Sequence, residues 1–523
     1  MRILHIALLN GAAPNFPITK AFQNNSSYYE EINWVKYLKH KGIESLQKHI
    51  LKVAEKGFDI IFMQIQTGGI IHIDTAKELR KKSFVINWTG DVRENIDWYI
   101  NLGQNIDLTL FTNFTDVEKC RKYGVNADYL QVSCDNKIYQ KIDNKINSPE
   151  IVFLANNYLN KFPLSDFRFK VVQALKKEFG NKFGIYGFGW EKKNFLNQNK
   201  ECDIYNNCKI AINLSHFNYK QYSSDRLFRI MFSGAFCLSH NYKEIEKEFT
   251  KEHLGTFEHN INDLIGKCHY WLEHEAERKK IAIAGNKHIQ KFTWNSRIKQ
   301  LIEMVEVEKV NKLVNDLATF NPEKKYSQTG EEFMIERIFN HIPITNRYLV
   351  EFGAGDGVYL SNSLYFIEKE WKGLLMDGDN QGNGKVHQEH ITKDNIENLF
   401  KKYNVPEKFD FLSIDLDGND FWIWNAIKKY SPRVVIIEFN GTIGNESKTI
   451  KYNPEHRWNN DDYYGASFQA MKKLGESKGY TLVSQKNSLN MYFVKFNKVY
   501  DCGITYKAMQ YHKKSENNNW LNI

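Results

Sequence analysis

Short apolar runs alternate with helix-patterned stretches along most of the chain, and this alternation limits the possible folds more than any other feature. The first such runs are RILHIALL, FDIIFMQI, SFVINW and DLTLFTN, each short enough for a buried strand. Helical spacing fills 29–56 and 74–82 between them. Strands that alternate with helices predict parallel sheets covered by helices on both faces. The predicted fold class is therefore α/β.

The alternation occurs in three blocks, which predict the domain boundaries. The second block adds strands such as EIVFLANN and CKIAINLS, helices at 165–179 and 225–233, and a helical run at 262–307. Two similar α/β halves in series predict a cleft between them. The predicted parts are 1–145 and 146–307 as two Rossmann-like halves, 308–325 as a polar linker, 326–500 as a third α/β block, and 501–523 as a loosely held tail.

Composition excludes several classes of function. A net charge of +9 is spread over 523 residues without a run of five or six Lys and Arg, so nucleic-acid binding is not expected. The seven scattered cysteines favour free thiols in a reducing compartment. Because the sequence has neither a signal-peptide pattern nor an 18-residue apolar run, we expect a cytoplasmic protein without a transmembrane segment.

Glycines and acids follow successive strands of the third block. Gly353 and Gly355 come after YLVEF, and Asp377 and Asp379 come after GLLM. Missing side chains let a ligand approach the main chain, and an acid about 20 residues later can bind two ribose hydroxyls. This pattern predicts a nucleotide-like cofactor, but it fits dinucleotides as well.

Further acids follow the next two strands, namely Asp415, Asp417 and Asp420 after one and Glu438 at the end of the other. Carboxylates at neighbouring strand ends repel each other unless a cation is present. The cation is a sulfonium or other cofactor, a substrate amine or a divalent metal. The alternative is that some of these acids only cap the helices that follow.

The third block resembles the FkbM-type methyltransferases that use S-adenosylmethionine and have the class I fold. The segments that carry this resemblance are SQTGEEF, EFGAGDGVYLSNSLYF, FLSIDLDGNDFWIW, VVIIEFN and YNPEHRWNNDDYYGAS. It spans about 326–498 and implies methyl transfer, commonly to a sugar hydroxyl. One departure is MDGD where many relatives have an IEP-like sequence, so Asp377 and Asp379 both stay open as ribose ligands.

The resemblance also implies roles for individual residues. Gly353 and Gly355 would contact the methionine part, Asp377 the ribose, and Asp415 the region of the transferred methyl group. The remaining cofactor-binding residues that it implies are Ser327, Gln328 and Glu351. Asp415 and Glu438 are candidate ligands of Mg²⁺.

Methylation of a hydroxyl needs a base, because a protonated alcohol is a poor nucleophile. Asp417 and His456 are the candidates, with an ordinary surface histidine as the alternative for His456. Trp458, Tyr463 and Tyr464 either stack on a sugar ring or form an aromatic cover over the core.

Two segments of the first 307 residues predict a site for a phosphorylated donor. In NWTGDVR, Asp91 and Arg93 follow a strand, and Asp91 is either a base toward an acceptor hydroxyl or the N-cap of a helix near 92. In YSSDRLFRIMFSGAFCLSH, we expect Ser224 and Asp225 to cap a helix whose amides face a diphosphate. Arg226 would add a forked donor for phosphate.

These segments, with FPLSDFR, YGFGW and KIAINLSHFN, make residues 80–300 similar to the group 1 bacterial glycosyltransferases. The resemblance implies the GT-B fold of two Rossmann-like halves, a nucleotide-sugar donor, and Arg226 near its diphosphate. Asn156 and Asn157 are further candidates for donor contact. Arg229 stands about where retaining members carry a Glu for the donor ribose, so donor and stereochemistry stay open.

Together the sequence predicts a bifunctional enzyme that adds a sugar and methylates a sugar hydroxyl during surface polysaccharide or glycoconjugate synthesis. Its partners would be a nucleotide sugar and a glycan acceptor, with membrane contact only through a lipid-linked acceptor. An alternative is a methyltransferase whose first 307 residues only bind glycan or nucleotide. A nicotinamide oxidoreductase is disfavoured, because Val358 stands where a third Gly or Ala is expected.

Overall fold

A computed structural model describes residues 1–9, 17–92, 95–190, 196–379, 384–485, 489–507, 512–516 and 519–523. The chain separates into two compact units, Met1–Glu303 and Met304–Ile523. Among the described residues, no helix has both the length and the hydropathy that crossing a bilayer requires.

Unit 1 begins with a six-stranded sheet in the order β2-β1-β3-β4-β5-β6, in which every pair of neighbours is parallel. The strands are β1 Arg2–Ala7, β2 Tyr28–Asn33, β3 Ile60–Met63, β4 Phe84–Thr89, β5 Leu108–Phe111 and β6 Ala127–Tyr129. The helices are α1 Pro17–Asn24, α2 Trp34–Lys41, α3 Ile43–Ala54, α4 Ile73–Arg80, α5 Asp97–Gly103 and α6 Phe114–Arg121. The prediction of helix throughout 29–56 is wrong at its start, because Tyr28–Asn33 pairs with β1 as an edge strand.

A five-stranded parallel sheet follows in the order β11-β10-β9-β7-β8. The strands are β7 Ile151–Leu154, β8 Phe183–Tyr186, β9 Ile210–Asn213, β10 Cys237–His240 and β11 Gly255–Phe257. The helices are α7 Ser165–Phe179, α8 Gln198–Asn207, α9 Asp225–Phe232, α10 Ile261–Glu273, α11 Glu275–Ile289 and α12 Trp294–Thr319. The helical run at 262–307 is thus divided, first at His274, whose backbone is not helical. Helix α12 contains the division between the units and covers 308–319 of the predicted linker.

Unit 2 contains a seven-stranded sheet in the order β14-β13-β12-β15-β16-β19-β18, in which only β19 is antiparallel to both of its neighbours. The strands are β12 Tyr348–Phe352, β13 Lys372–Asp377, β14 Val386–Gln388, β15 Lys408–Ile414, β16 Ser431–Glu438, β17 Lys448–Ile450, β18 Thr481–Ser484, β19 Asn490–Val494 and β20 Trp520–Asn522. The helices are α13 Glu331–Phe339, α14 Leu364–Ile367, α15 Ile396–Lys402, α16 Asp420–Ala426 and α17 Phe468–Ser477.

This sheet is buried on both faces. Successive side chains of β15 enter different apolar clusters: Phe411 packs with Leu349 and Val434, whereas Leu412 packs with Val350 and Val435. Such two-sided burial explains why the strand reads as a nearly continuous apolar run. The predicted α/β class is confirmed by these sheets.

The prediction of a loosely held tail is wrong for the described part of 501–523. Strand β20 pairs with β17, and the main-chain amide of Ser515 donates to the Asp462 side chain at 2.7 Å. The Tyr463 hydroxyl donates to the carbonyl of Asn519 at 3.0 Å. The tail is ordered because the loop near 460 offers it hydrogen-bond partners and aromatic rings, which composition alone does not reveal.

Candidate functional sites

A cavity of about 360 Å³ lies in unit 1 beside the ends of β7 and β9 and the start of α9. Carboxyl ends of parallel strands are where open α/β sheets bind ligands. The structure brings together at this cavity five candidate residues of unit 1, namely Asp91, Asn156, Ser224, Asp225 and Arg226. Asn157 is not part of the lining, and its Nδ2 donates to the carbonyl of Gly189 at 3.2 Å.

The sequence predicts that the Arg226 guanidinium is free to bind phosphate, but in the structure it binds main-chain carbonyls. Its Nε donates to the carbonyl of Leu154 at 2.6 Å, and its Nη1 donates to the carbonyl of Leu214 at 3.2 Å. These carbonyls belong to the ends of β7 and β9, where the sheet ladder supplies no further donor. The guanidinium therefore stabilises the cavity wall while its charge faces the cavity.

The expected side-chain cap of α9 is not formed. Ser224 is the N-cap residue by position, but its side chain makes no capping hydrogen bond and instead accepts from Arg226 Nη1 at 3.3 Å. Asp225 accepts from Arg229 Nη2 at 2.5 Å. The first amides of α9 are consequently not occupied by a side-chain acceptor, which suits an anionic ligand.

Arg229, the departure from the glycosyltransferase pattern, is neutralised by acids. It pairs with Asp225 and, at 3.0 Å, with Glu201, which also accepts from the Tyr139 hydroxyl at 2.6 Å. Burial by itself lowers the pKa of Arg229, but Asp225, Tyr139 and Glu201 raise it above the ordinary value. Glu201 also lines the cavity, and no sequence pattern distinguishes it from an ordinary surface acid.

Asp91 is not the cap of a helix, because α5 begins only at Asp97. Its Oδ1 accepts from the amide of Val92 at 2.9 Å, and its carboxylate is part of the cavity lining. Arg93 lies outside the described residues. The position of Asp91 is compatible with its predicted role as a base toward an acceptor, which stays a prediction.

His216 also lines the cavity and was not predicted. Burial, Arg168 and Arg226 lower the pKa of His216 to about 3. The imidazole is therefore neutral at physiological pH. Its Nδ1 is buried and makes no hydrogen bond within the described part of the chain.

In unit 2, the strand order changes direction at β12, because β13 pairs with it on one side and β15 on the other. Gly353, just beyond β12, has φ of +69°, and a Cβ there would collide with the main-chain carbonyl of Asp415. The amide of Gly355 donates to Asp377 Oδ2 at 2.9 Å. This crevice is the expected ligand position of an open α/β sheet.

The two candidate ribose acids make different contacts. Asp377 also accepts from the amide of Asp379 at 2.8 Å, so two main-chain amides orient its carboxylate. Asp379 is largely exposed and pairs with both Nη atoms of Arg457, at 2.9 and 3.2 Å. Asp377 is thus the acid that the crevice itself holds in place.

Other predicted cofactor ligands form hydrogen bonds within their own loops. Glu351 is buried and accepts from the amide of Asn362 at 2.7 Å and from Ser361 Oγ at 3.0 Å. Burial raises the pKa of Glu351, although these donors oppose the shift. Ser327 accepts from the amides of Gly330 and Glu331 at 3.0 and 2.8 Å before α13 begins. Its neighbour Gln328 is exposed.

The carboxylates of three acids lie close together at the ends of β15 and β16. One carboxylate oxygen from each of Asp415, Asp417 and Glu438 lies within 4.8 Å of the other two. Burial and then the neighbouring acids raise the pKa of Asp415 and of Glu438 well above their ordinary values. This arrangement favours either bound protons or a bound cation.

The predicted alternative, in which some of these acids only cap the following helix, does not describe Asp420, which binds main-chain amides of the loop before α16. It accepts from the amides of Leu416 and Gly418 at 2.8 and 3.0 Å. Burial nevertheless raises the pKa of Asp420 to about 6. Asp420 therefore stabilises the loop that carries Asp417, whose φ is +50°.

His456 lies against this loop, since a Cβ added at Gly418 would overlap its ring. Burial lowers the pKa of His456, and Asp461 and Asp417 oppose the shift. Its Nε2 is buried and accepts or donates no hydrogen bond among the described residues. A neutral imidazole near Asp417 has the properties that a general base needs.

The aromatic residues after His456 pack on the tail. The ring centroids of Trp458 and Tyr464 lie 5.3 and 5.6 Å from that of His512, and Tyr463 lies 5.0 Å from Trp520. Tyr463 and Tyr464 are buried. These contacts favour the alternative of an aromatic cover over stacking on a sugar.

A comparison with protein families supports part of the sequence interpretation. Residues 168–303 match the model of a family described as "Glycosyl transferase-like". The chain therefore contains a glycosyltransferase-like region, and this region includes α9 and most of the second sheet. A search of curated proteins gives no match.

Solved structures with similar backbones include Anabaena Alr3699/HepE in complex with UDP and glucose, at 10% identity and a TM-score of 0.42, covering 59% of this chain and 100% of that one. A glycosyltransferase from Rickettsia africae ESF-5 has 11% identity and a TM-score of 0.41, covering 59% and 98%. Sucrose-phosphate synthase from Thermosynechococcus elongatus has 10% identity and a TM-score of 0.38, covering 54% and 82%. Identities this low do not transfer a substrate from these proteins to this chain.

Proposed function

We propose that the chain is a bifunctional glycan-modifying enzyme. Unit 1 would transfer a sugar from a nucleotide sugar, and unit 2 would methylate a sugar hydroxyl with S-adenosylmethionine, during surface polysaccharide or glycoconjugate synthesis. The observation that carries the first activity is the convergence of Asp91, Asn156 and the start of α9 on one cavity, and α9 belongs to the glycosyltransferase-like region.

In the proposed glycosyl transfer, the amides at the start of α9 and the charge of Arg226 bind the diphosphate. Asn156 contacts the donor from the end of β7. Asp91 accepts the proton of the acceptor hydroxyl, so that the oxygen can attack the anomeric carbon as the nucleoside diphosphate leaves. Glu201 lines the same cavity and offers a carboxylate to donor hydroxyls.

The proposed methyl transfer is supported by the strand order of unit 2. A central parallel sheet with one reversed strand near an edge is the arrangement expected of the class I methyltransferases that the sequence resembles. Gly353 leaves the crevice open at the point where the strand order changes direction, and Asp377 is oriented by two amides.

The buried carboxylates fit a cationic cofactor. S-adenosylmethionine, when bound, would supply an electrophilic methyl group on a positively charged sulfur. Asp415 and Glu438, whose mutual repulsion is otherwise unbalanced, would favour that positive charge. His456 would accept the proton of the sugar hydroxyl at Nε2, and Asp417 would stabilise the resulting imidazolium.

Mg²⁺ is a second candidate for the same carboxylates. Hard divalent cations prefer oxygen ligands, and Asp415, Asp417 and Glu438 supply three in reach of one point. Calorimetry with MgCl₂ and with S-adenosylmethionine, separately and together, distinguishes the two occupants. Additive binding supports two sites, whereas competition supports one.

The test of the whole proposal is transfer of both groups to one acceptor. The native chain is incubated with UDP-glucose or another nucleotide sugar, labelled S-adenosylmethionine and an oligosaccharide, and the products are analysed by mass spectrometry. Gain of one hexose and one methyl group is the expected result. Absence of S-adenosylmethionine binding would remove the second activity.

The same assay addresses the alternative in which unit 1 only binds glycan or nucleotide. Arg229 motivates this alternative, because it occupies the position of the family Glu. Binding of UDP without any consumption of nucleotide sugar would favour it. Since both proposed donors are cytoplasmic metabolites, we propose a cytoplasmic location, with the membrane reached only through a lipid-linked acceptor.

A further inference from the structure

Two arginines lie against one buried ring at the cavity of unit 1. The guanidinium carbons of Arg168 and Arg226 are 5.1 and 5.3 Å from the centre of the Phe153 ring. Both arginines donate to the carbonyl of Leu214, and Arg168 also donates to the carbonyl of Asn156 at 3.1 Å. Arg168 on α7 is thus joined to two segments of the cavity wall.

The positive charges of this pair are not neutralised by ion pairs with acids of the described residues. Arg168 is only 2% exposed, and within the described ranges neither arginine forms an ion pair with Asp or Glu. The carboxylates of Glu201 and Asp225 pair with Arg229 instead. Burial first, and then the charge of Arg226, lowers the pKa of Arg168. Because a guanidinium stays protonated in proteins, the unfavourable charge remains.

A second buried arginine shows what a purely structural role looks like. Arg278 is 4% exposed and donates to carbonyls of Trp271 and Leu272 at the end of α10. Burial lowers its pKa, but Glu275 and Glu150 oppose the shift. Arg278 therefore has acids that raise its pKa, whereas no Asp or Glu of the described ranges raises that of Arg168.

We propose that Arg168 is a positioning residue for the donor diphosphate. It fixes the carbonyls of Leu214 and Asn156 that shape the site around Arg226, and its buried charge raises the affinity for an anion that it does not touch. The bound diphosphate supplies the negative charge that the protein omits. This inference rests on the proposed glycosyl transfer.

The test compares a nucleoside diphosphate with its nucleoside. Calorimetry gives the affinities of UDP and uridine for the native chain, Arg168→Gln, Arg168→Lys and the control Arg278→Gln. Gln keeps a donor for carbonyls but removes the charge, and Lys keeps the charge. We expect R168Q to lower UDP affinity by about tenfold with uridine affinity unchanged. R168K should remain within about threefold of the native preference for UDP, as should R278Q.

Several results would overturn the inference. One is an unchanged ratio of UDP to uridine affinity in R168Q; another is an equal loss for both ligands, which indicates only a damaged fold. If circular dichroism shows that R168Q does not fold, the test relies on R168K. Loss of its preference for UDP despite the retained charge would contradict the proposal. The proposed function itself fails in a different way, when the native chain binds neither UDP nor GDP.

Discussion

The two candidate sites have opposite charges. Beside the cavity of unit 1, Arg168 and Arg226 lie on Phe153 and form no ion pair with a carboxylate of the described residues, whereas the crevice of unit 2 has carboxylates that raise each other's pKa. Both lie at the carboxyl ends of parallel strands. Similar sheets therefore provide the position of a site, and the side chains at the strand ends decide whether it attracts a diphosphate or a cation.

The largest effect is expected from Arg226→Ala. Loss of its charge from the cavity should weaken UDP binding by about 100-fold, because the guanidinium attracts the diphosphate and its hydrogen bonds to the carbonyls of Leu154 and Leu214 are also lost. Binding of S-adenosylmethionine should not change. Calorimetry with both ligands measures this, with Arg121→Ala on the exposed end of α6 as the control. A loss of less than threefold for UDP would remove Arg226 from the site.

An effect of similar size is expected from His456→Ala, which removes the proposed base. The rate of methyl transfer should fall by about 100-fold, while the affinity for S-adenosylmethionine stays within about twofold. The native rate should decline only at a pH below 6.5, because burial lowers the pKa of His456 and the base must be neutral. A decline centred above pH 7 would argue for another base.

Gly353→Ala tests whether the main chain approaches closely at the crevice. A Cβ at this residue would overlap the Asp415 carbonyl, so we expect a loss of about 3 kcal/mol in the unfolding free energy of unit 2, with loss of cofactor binding. The control is Gly444→Ala, where φ is +75° but no atom lies within 4 Å of the added Cβ. Its cost should be about 1 kcal/mol, from the backbone conformation alone. Equal costs for the two variants would contradict the close approach.

The smallest effect concerns pH. Burial raises the pKa of Asp420 from 3.8 to about 6, and burial together with neighbouring acids raises the pKa of Asp415 and of Glu438 well above their ordinary values. Acids with a raised folded pKa stabilise the fold below the unfolded value and lose that contribution as pH rises through the folded value. Unliganded unit 2 should therefore lose about 1–3 kcal/mol of unfolding free energy as the pH rises from about 4 to about 6, the interval between the unfolded and folded pKa values of Asp420.

Hydrogen exchange in 411–420 measures this change, and 151–154 of unit 1 serves as the comparison. Saturating S-adenosylmethionine or Mg²⁺ should reduce the pH dependence in 411–420. A stability that is independent of pH without any ligand would show that the carboxylates are already compensated.

Much of the architecture was predictable because it depends on local pattern. The predicted helix at 165–179 coincides with α7, and runs such as FDFLSI became buried strands. Edge elements were less predictable. The pattern over β2 predicts a helix and the composition around β20 predicts a loosely held tail, but both segments are paired strands. Their partners are distant in sequence, so the pairing that orders them leaves little local signal.

The sequence was enough to predict which residues lie at the sites, but not which contacts their side chains make. Asn156 and Arg226 do line one cavity, yet the fork of Arg226 binds carbonyls, and Ser224 forms no cap. Arg168 was not singled out, because an arginine on an amphipathic helix looks like an ordinary surface residue. Only its burial shows otherwise.

Periodicity and glycine placement are properties of short segments, so they were enough to predict the α/β class, most of the strands and the residue types at the strand ends. Which distant groups come together depends on the folded arrangement. It places Arg168 and Arg226 on one ring with no ion-paired acid among the described residues, and carboxylate oxygens of Asp415, Asp417 and Glu438 within 4.8 Å of one another. Electrostatic energy depends on the distance between charged groups and on their burial, and neither quantity follows from the order of residues alone.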